Sequence, residues 1–172
     1  MGEEGIACEL IADGHHVSGT LMKLLYRAKG PDGICLVTDA IAGAGLPDSA
    51  HFSLYGRDCV VTAGVGLQAD QLALAGSVSR MIDLVRTMVE KVNVPLHEAV
   101  AMATLNPARL IGLGAKGRLE ISAEADFVVL SPTLEVLETF VAGESIFRHT
   151  GSGGERSESK HRTSNAEHPT PN

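Results

Sequence analysis

The chain has 172 residues, 44% of them hydrophobic and only 3% aromatic, so its core must be built from aliphatic side chains, Ala and Met. A formal net charge of -7 with interspersed signs, and no basic stripe interleaved with aromatics, argues against nucleic acid as the main partner. No apolar run nears the roughly 20 residues of a membrane span. Glu3 and Glu4 stand where a secretory leader would carry basic residues, and Cys8, Cys35 and Cys59 are odd in number without metal spacing. A cytoplasmic protein with reduced core cysteines is the expectation.

In chain order, Ala7 to Asp13 (ACELIAD) is the first strand candidate, an apolar run closing on the turn pair Asp13-Gly14. In HHVSGTLMKLLYRAKG, Leu21, Leu24 and Leu25 share a helical face and Gly30 is a plausible stop. Ile34 to Thr38 is a second buried strand. Strand, helix, strand is the alternation of a parallel sheet.

His51 to Gly64 reads as a hairpin, with Gly56 and Asp58 marking its turn. In SVSRMIDLVRTMVEKV the apolar positions from Val78 to Val92 fall at helical spacing, with Ser77 placed to cap the start. Pro95 suits the first turn of a further helix, which the Asn106-Pro107 step breaks to open a short last one ending at Gly112 and Gly114. DFVVL, LETFVAG and SIFR are strands, with a turn at Gly143-Glu144. Residues 150-172 contain no Val, Leu, Ile, Met or aromatic side chain and are expected to be a disordered tail. The expected organisation is 1-50 for β/α units, 51-72 for a hairpin insertion, 73-115 for helices packing on the sheet and 116-149 for trailing strands. Two β/α steps do not close a (β/α)8 barrel, which takes at least about 200 residues. The expectation is therefore a C-terminal portion of one.

Asp39 follows the second strand directly, in GICLVTDAIAGAG. One reading is structural: the carboxylate satisfies backbone N–H groups of the loop. The other is functional, because chemistry gathers at the carboxyl ends of parallel strands. His16, in DGHHV, stands at the end of the neighbouring strand, so the two could border one pocket. The His15-His16 pair is not a zinc motif, since adjacent side chains diverge and no third ligand lies at a familiar spacing. Leu74, Ala75 and Gly76, in LALAGSVSR, are read as opening a helix whose exposed N–H groups could receive a polar or anionic ligand. The Asn106-Pro107-Ala108-Arg109 step is most simply structural. His51, His97, His149, His161 and His168 are assigned no role. No Gly-x-Gly-x-x-Gly, P-loop, HExxH or Gly-x-Ser-x-Gly occurs.

In order, LIADGHHV, GICLVTDAIAGAG, LALAGSVSRMIDLVR, AVAMATLNPARLIGLGAKGRLEISAEADFVVL and VAGESIF resemble the C-terminal half of the N-acetylglucosamine-6-phosphate deacetylases, members of the amidohydrolase superfamily. The resemblance runs from about Glu9 to Phe147. It implies an α/β fold: the C-terminal part of a (β/α)8 metallo-dependent hydrolase barrel plus strands of a small β-sandwich. It implies hydrolysis of the 2-acetamido group of N-acetylglucosamine 6-phosphate to glucosamine 6-phosphate and acetate. A divalent metal, usually zinc, would activate the water, and the intact enzyme would be a homodimer. Asp39 matches the family's catalytic aspartate, a general base and then acid. His16 matches its substrate-contacting histidine, and Leu74, Ala75 and Gly76 match the loop that touches the sugar. Ala75 stands where relatives often have Ser. The family's metal ligands lie on earlier strands, so this chain is expected to supply none and to act as a fragment. The alternatives are an amidohydrolase acting on another amide or cyclic amide, and a non-catalytic oligomerising or binding module.

Overall fold

The computed structural model describes residues 6–70 and 73–150. Strands β1 (Cys8–Leu10) and β2 (Ile34–Leu36) pair in parallel, with Leu10 opposite Leu36. Helix α1 (Gly19–Lys29) makes the crossover: the Ser18 hydroxyl accepts the Leu21 N–H at its start, and Gly30, at φ 69°, ends it. The buried face of α1 is not the expected leucine face. Met22 is fully buried with Leu25 and Tyr26 packed beside it, whereas Leu21 and Leu24 are more than half exposed. Met22, Leu25 and Tyr26 lie at i, i+3 and i+4, a stripe centred away from Leu21 and Leu24.

Next come four antiparallel strands in sequential order, β3 (His51–Leu54), β4 (Arg57–Thr62), β5 (Val65–Gln68) and β6 (Leu74–Ser77). The expected hairpin is thus half of a larger sheet that runs on to Ser77. The turns at Tyr55-Gly56 and Ala63-Gly64 have positive φ at both central residues, the twist-matched hairpin geometry. Leu74 to Ser77 does not open a helix. Its backbone is committed to the ladder with β5, where Gly76 faces Gly66 and Ser77 faces Val65.

Helix α2 (Met81–Thr87) starts four residues beyond Ser77. Ser77 is not its cap; the Asp83 carboxylate instead accepts the Arg80 N–H at 3.0 Å and binds the Arg80 and Arg86 guanidinium groups. The helix widens into a π-helical turn, Met88–Val92, and ends at Asn93 in a left-handed conformation. Helices α3 (Leu96–Ala103) and α4 (Leu105–Leu110) follow. They break at Thr104 and not at Asn106-Pro107, because Pro107 falls in the first turn of α4, where its missing N–H does no harm. Buried Asn106 donates from Nδ2 to the Pro31 and Ile34 carbonyls, pinning α4 to the base of β2. The core lies between the parallel pair and these helices, around Leu36, Met22, Leu84, Met88 and Met102.

The last strands, β7 (Phe127–Leu130), β8 (Val136–Val141) and β9 (Glu144–Arg148), form an antiparallel meander with Phe127 stacked on Phe140. The final turn lies at Ala142-Gly143, one residue before its expected place. Residues 151–172 of the expected tail lie outside the described residues.

Candidate functional site

The parallel register decides which side chains meet. Leu10 pairs with Leu36, and the Val37 N–H donates to the Leu10 carbonyl at 3.1 Å. Asp13 and Asp39 therefore leave the sheet at the same end, each three residues beyond the paired leucines.

On the β1 side the chain turns through Gly14, at φ 83°. The Asp13 side chain is entirely buried. Its Oδ1 accepts the N–H of His15 (2.9 Å) and of His16 (3.0 Å), and its Oδ2 bonds Nδ1 of the His16 ring at 2.7 Å. Burial alone would push the carboxyl up, but the amides of His16 and His15 and the His16 ring outweigh it and hold Asp13 below the usual carboxylate range. His16 is partly exposed, and its Nε2 has no hydrogen-bond partner among the described residues.

On the β2 side Asp39 is exposed and adopts a left-handed conformation, φ 45°. A loop-capping carboxylate would accept a backbone N–H, as Asp13 does. The Asp39 carboxylate makes no hydrogen bond or ion pair among the described residues, so capping does not explain it.

Just past Asp39 the chain meets β6. Ala40 forms a parallel bridge with Ser77, and the Ile41 N–H donates to the Ser77 carbonyl at 3.0 Å. Ile41 then fills the space over two glycines. A Cβ on Gly76 would come within 2.7 Å of Ile41 Cγ2, and one on Gly66 within 2.8 Å of Ile41 Cδ1. Only a residue without a side chain permits this approach. The segment Leu74, Ala75, Gly76 is thus brought beside the Asp39 loop as a strand. Ser77 is fully buried, and its hydroxyl accepts the Ser79 N–H.

His15 points to the β4–β5 turn, with its Nε2 3.9 Å from where a Gly64 Cβ would lie. The other described histidines are elsewhere: His51 bonds Asp58 on the outer face of β3 and β4, His97 lies 3.8 Å from Glu98, and the His149 N–H donates to the Leu137 carbonyl of β8. Sequence reasoning missed Asp13, taken only as a turn residue. An Asp three residues before a candidate histidine, at the end of a buried run, was the available signal.

Among the described residues no three His, Cys, Asp or Glu side chains converge to hold a metal ion, so these residues do not fit a bound divalent metal. What they assemble is one free carboxylate, one imidazole oriented by a buried carboxylate, and a small-residue strand, all at one end of a parallel pair.

Comparison with known proteins adds a family frame. Residues 2–146 match the model of the Amidohydrolase family. The chain is 37% identical over 141 residues to the N-acetylglucosamine-6-phosphate deacetylase of Danio rerio, covering 81% of this chain and 34% of that protein. It is 39% identical over 137 residues to a putative N-acetylgalactosamine-6-phosphate deacetylase of Escherichia coli K12, covering 79% of this chain and 80% of that protein. Among solved structures, the Mycobacterium smegmatis N-acetyl-D-glucosamine-6-phosphate deacetylase, in complex with N-acetyl-D-glucosamine-6-phosphate, superposes with a TM-score of 0.74 at 36% identity, covering 81% of this chain and 37% of that one. The chain spans about a third of the length of the deacetylase from Danio rerio.

Proposed function

The chain belongs to the amidohydrolase family, and from that premise we propose that it carries part of the active site of an amino-sugar phosphate deacetylase. The reaction is hydrolysis of N-acetylglucosamine 6-phosphate. Water adds to the acetamido carbonyl, the C–N bond breaks, and acetate and glucosamine 6-phosphate leave. Asp39 would take the proton from the water and return it to the departing nitrogen, general base first and general acid second. His16 would contact the sugar, and the backbone of Leu74, Ala75 and Gly76 would line it. The observation that carries this reading is the unpaired Asp39 carboxylate at the exit of β2, held in a left-handed conformation beside β6.

A divalent ion such as zinc, which the family resemblance implies, would need ligands that the described residues do not provide. The same reading makes β1, α1 and β2 the last β/α units of a barrel and β7 to β9 part of a sandwich, in a protein that works as a homodimer.

A second substrate has specific support. The Escherichia coli relative of which the chain covers 80% is named for N-acetylgalactosamine 6-phosphate, which differs from the gluco sugar only at C4. The test is release of acetate from both sugar phosphates by the full chain supplied with zinc, beside Asp39→Asn. Turnover that falls roughly 10²- to 10⁴-fold in the variant is expected for a lost general base. Turnover indifferent to Asp39→Asn would overturn the residue's role. No turnover of either sugar would mark the part of the site carried by this chain as catalytically silent without the missing ligands.

A further inference from the structure

Among the described residues Asp13 is the only charged side chain that is buried, and the mechanism above does not use it. A turn needs only its backbone-accepting oxygen, and Oδ1 already serves both the His15 and His16 amides. Oδ2 is left for Nδ1 of His16, at 2.7 Å, the distance of a charge-assisted hydrogen bond. An ionised carboxylate only accepts, so Nδ1 must carry the hydrogen. A neutral imidazole has one N–H, which leaves Nε2, on the far side of the ring, with a bare lone pair. Nε2 meets no donor among the described residues, and the His16 side chain is 21% exposed where β1 leaves the sheet.

We propose that Asp13 is a positioning residue that locks His16 in the tautomer protonated on Nδ1, so that Nε2 meets the ligand as a hydrogen-bond acceptor. The inference rests on the deacetylase reading only for the ligand's identity. For that ligand it selects a donor, a sugar hydroxyl or the acetamido N–H, and denies neutral His16 the part of donor to the acetamido carbonyl. In water a neutral imidazole favours the opposite tautomer, so the preference must come from Asp13.

The test is a long-range 1H–15N correlation spectrum of the full chain with 15N-labelled histidine, at a pH where the rings are neutral. The His16 signals are assigned by their loss in His16→Gln. The expected wild-type result is a His16 pattern with Nδ1 protonated and Nε2 bare, in roughly tenfold excess or more over the other tautomer, as a hydrogen bond to a charged group implies. Asp13→Asn keeps an oxygen for the two backbone amides but can offer N–H to the ring, so the pattern should invert. A wild-type ring protonated on Nε2, or a pattern unchanged in Asp13→Asn, overturns the proposal. The wild-type spectrum decides alone if the variant does not fold. Adding N-acetylglucosamine 6-phosphate should shift Nε2 while it stays unprotonated, and conversion to the Nε2–H form on binding would overturn the acceptor role. A His16 that keeps its tautomer and ignores the sugar phosphate would uphold Asp13's part and count against the substrate reading.

Discussion

Two aspartates leave one end of the same parallel pair and are treated in opposite ways. Asp39 is exposed and unpaired with φ at 45°, a conformation that costs an L residue on the order of 1 kcal/mol and that Asp and Asn tolerate better than most. Asp13 is buried and fully bonded. Only the exposed one was legible as a candidate site residue, because a charge just after a buried apolar run is conspicuous, whereas Asp-Gly reads as an ordinary turn pair. The buried one governs acid sensitivity. Its folded-state carboxyl lies below the ordinary value of 3.8, so the unfolded chain binds the proton more tightly. That stabilisation is complete above the ordinary value and is lost as pH falls through the depressed folded one. Asp83 acts with the same sign, burial being outweighed by Arg80 and then Arg86. Urea midpoints should therefore show wild type more stable than Asp13→Asn by a constant margin above about pH 5, narrowing towards pH 3. A margin that widens on acidification would contradict the assignment.

Among the elements, the parallel pair, the crossover helix and the trailing meander were readable from apolar runs, helical spacing and β-branched residues. The second half of the four-stranded sheet was not. β5 and β6 read Val-Gly-Leu-Gln and Leu-Ala-Gly-Ser, short segments each carrying a glycine and little β propensity, and they are strands because their neighbours pair with them. A Gly-Ser run before a helical pattern resembles a cap, and the true cap, Asp83, lies inside the helix. Gly66 of β5 and Gly76 of β6 make room for Ile41. Gly76→Ala would place a methyl at 2.7 Å from Ile41 Cγ2 on a residue at φ 147°, so it should lower stability by about 1–3 kcal/mol in chemical denaturation. Gly19→Ala, at a position with nothing within 4 Å, is the matched control and should change stability by no more than about 1 kcal/mol. Equal effects would remove Gly76 from its role.

At the scale of the whole molecule, the described residues leave apolar surface uncovered. A hollow of 530 Å³ separates the β7–β9 sheet from α2 and α3, lined by Met81, Val85, Val100, Leu130, Val136 and Phe147. Leu21 and Leu24 face solvent on α1, and the outer edge of β1 is unpaired among the described residues. Patches and edges of this kind promote association. The chain should self-associate with rising concentration in sedimentation velocity, and a monodisperse monomer that melts in one cooperative step would contradict this. No helix among the described residues is long and apolar enough to cross a membrane. Two β/α steps where a closed barrel needs eight already implied open edges and uncovered faces, but not which residues line them, because an apolar position reads the same whether or not its partner is present.

The Ala40–Ser77 bridge also ties the Asp39 loop to the four-stranded sheet. The Asp39 loop is fastened on its far side by β6, the last strand of a meander whose neighbours pair in chain order. The exit of β2 is therefore held by a sheet that contributes no described residue to the aliphatic core around Leu36 and Met88. A lesion anywhere in that sheet, at Gly76 above all, would reach the carboxylate while the aliphatic core stays intact.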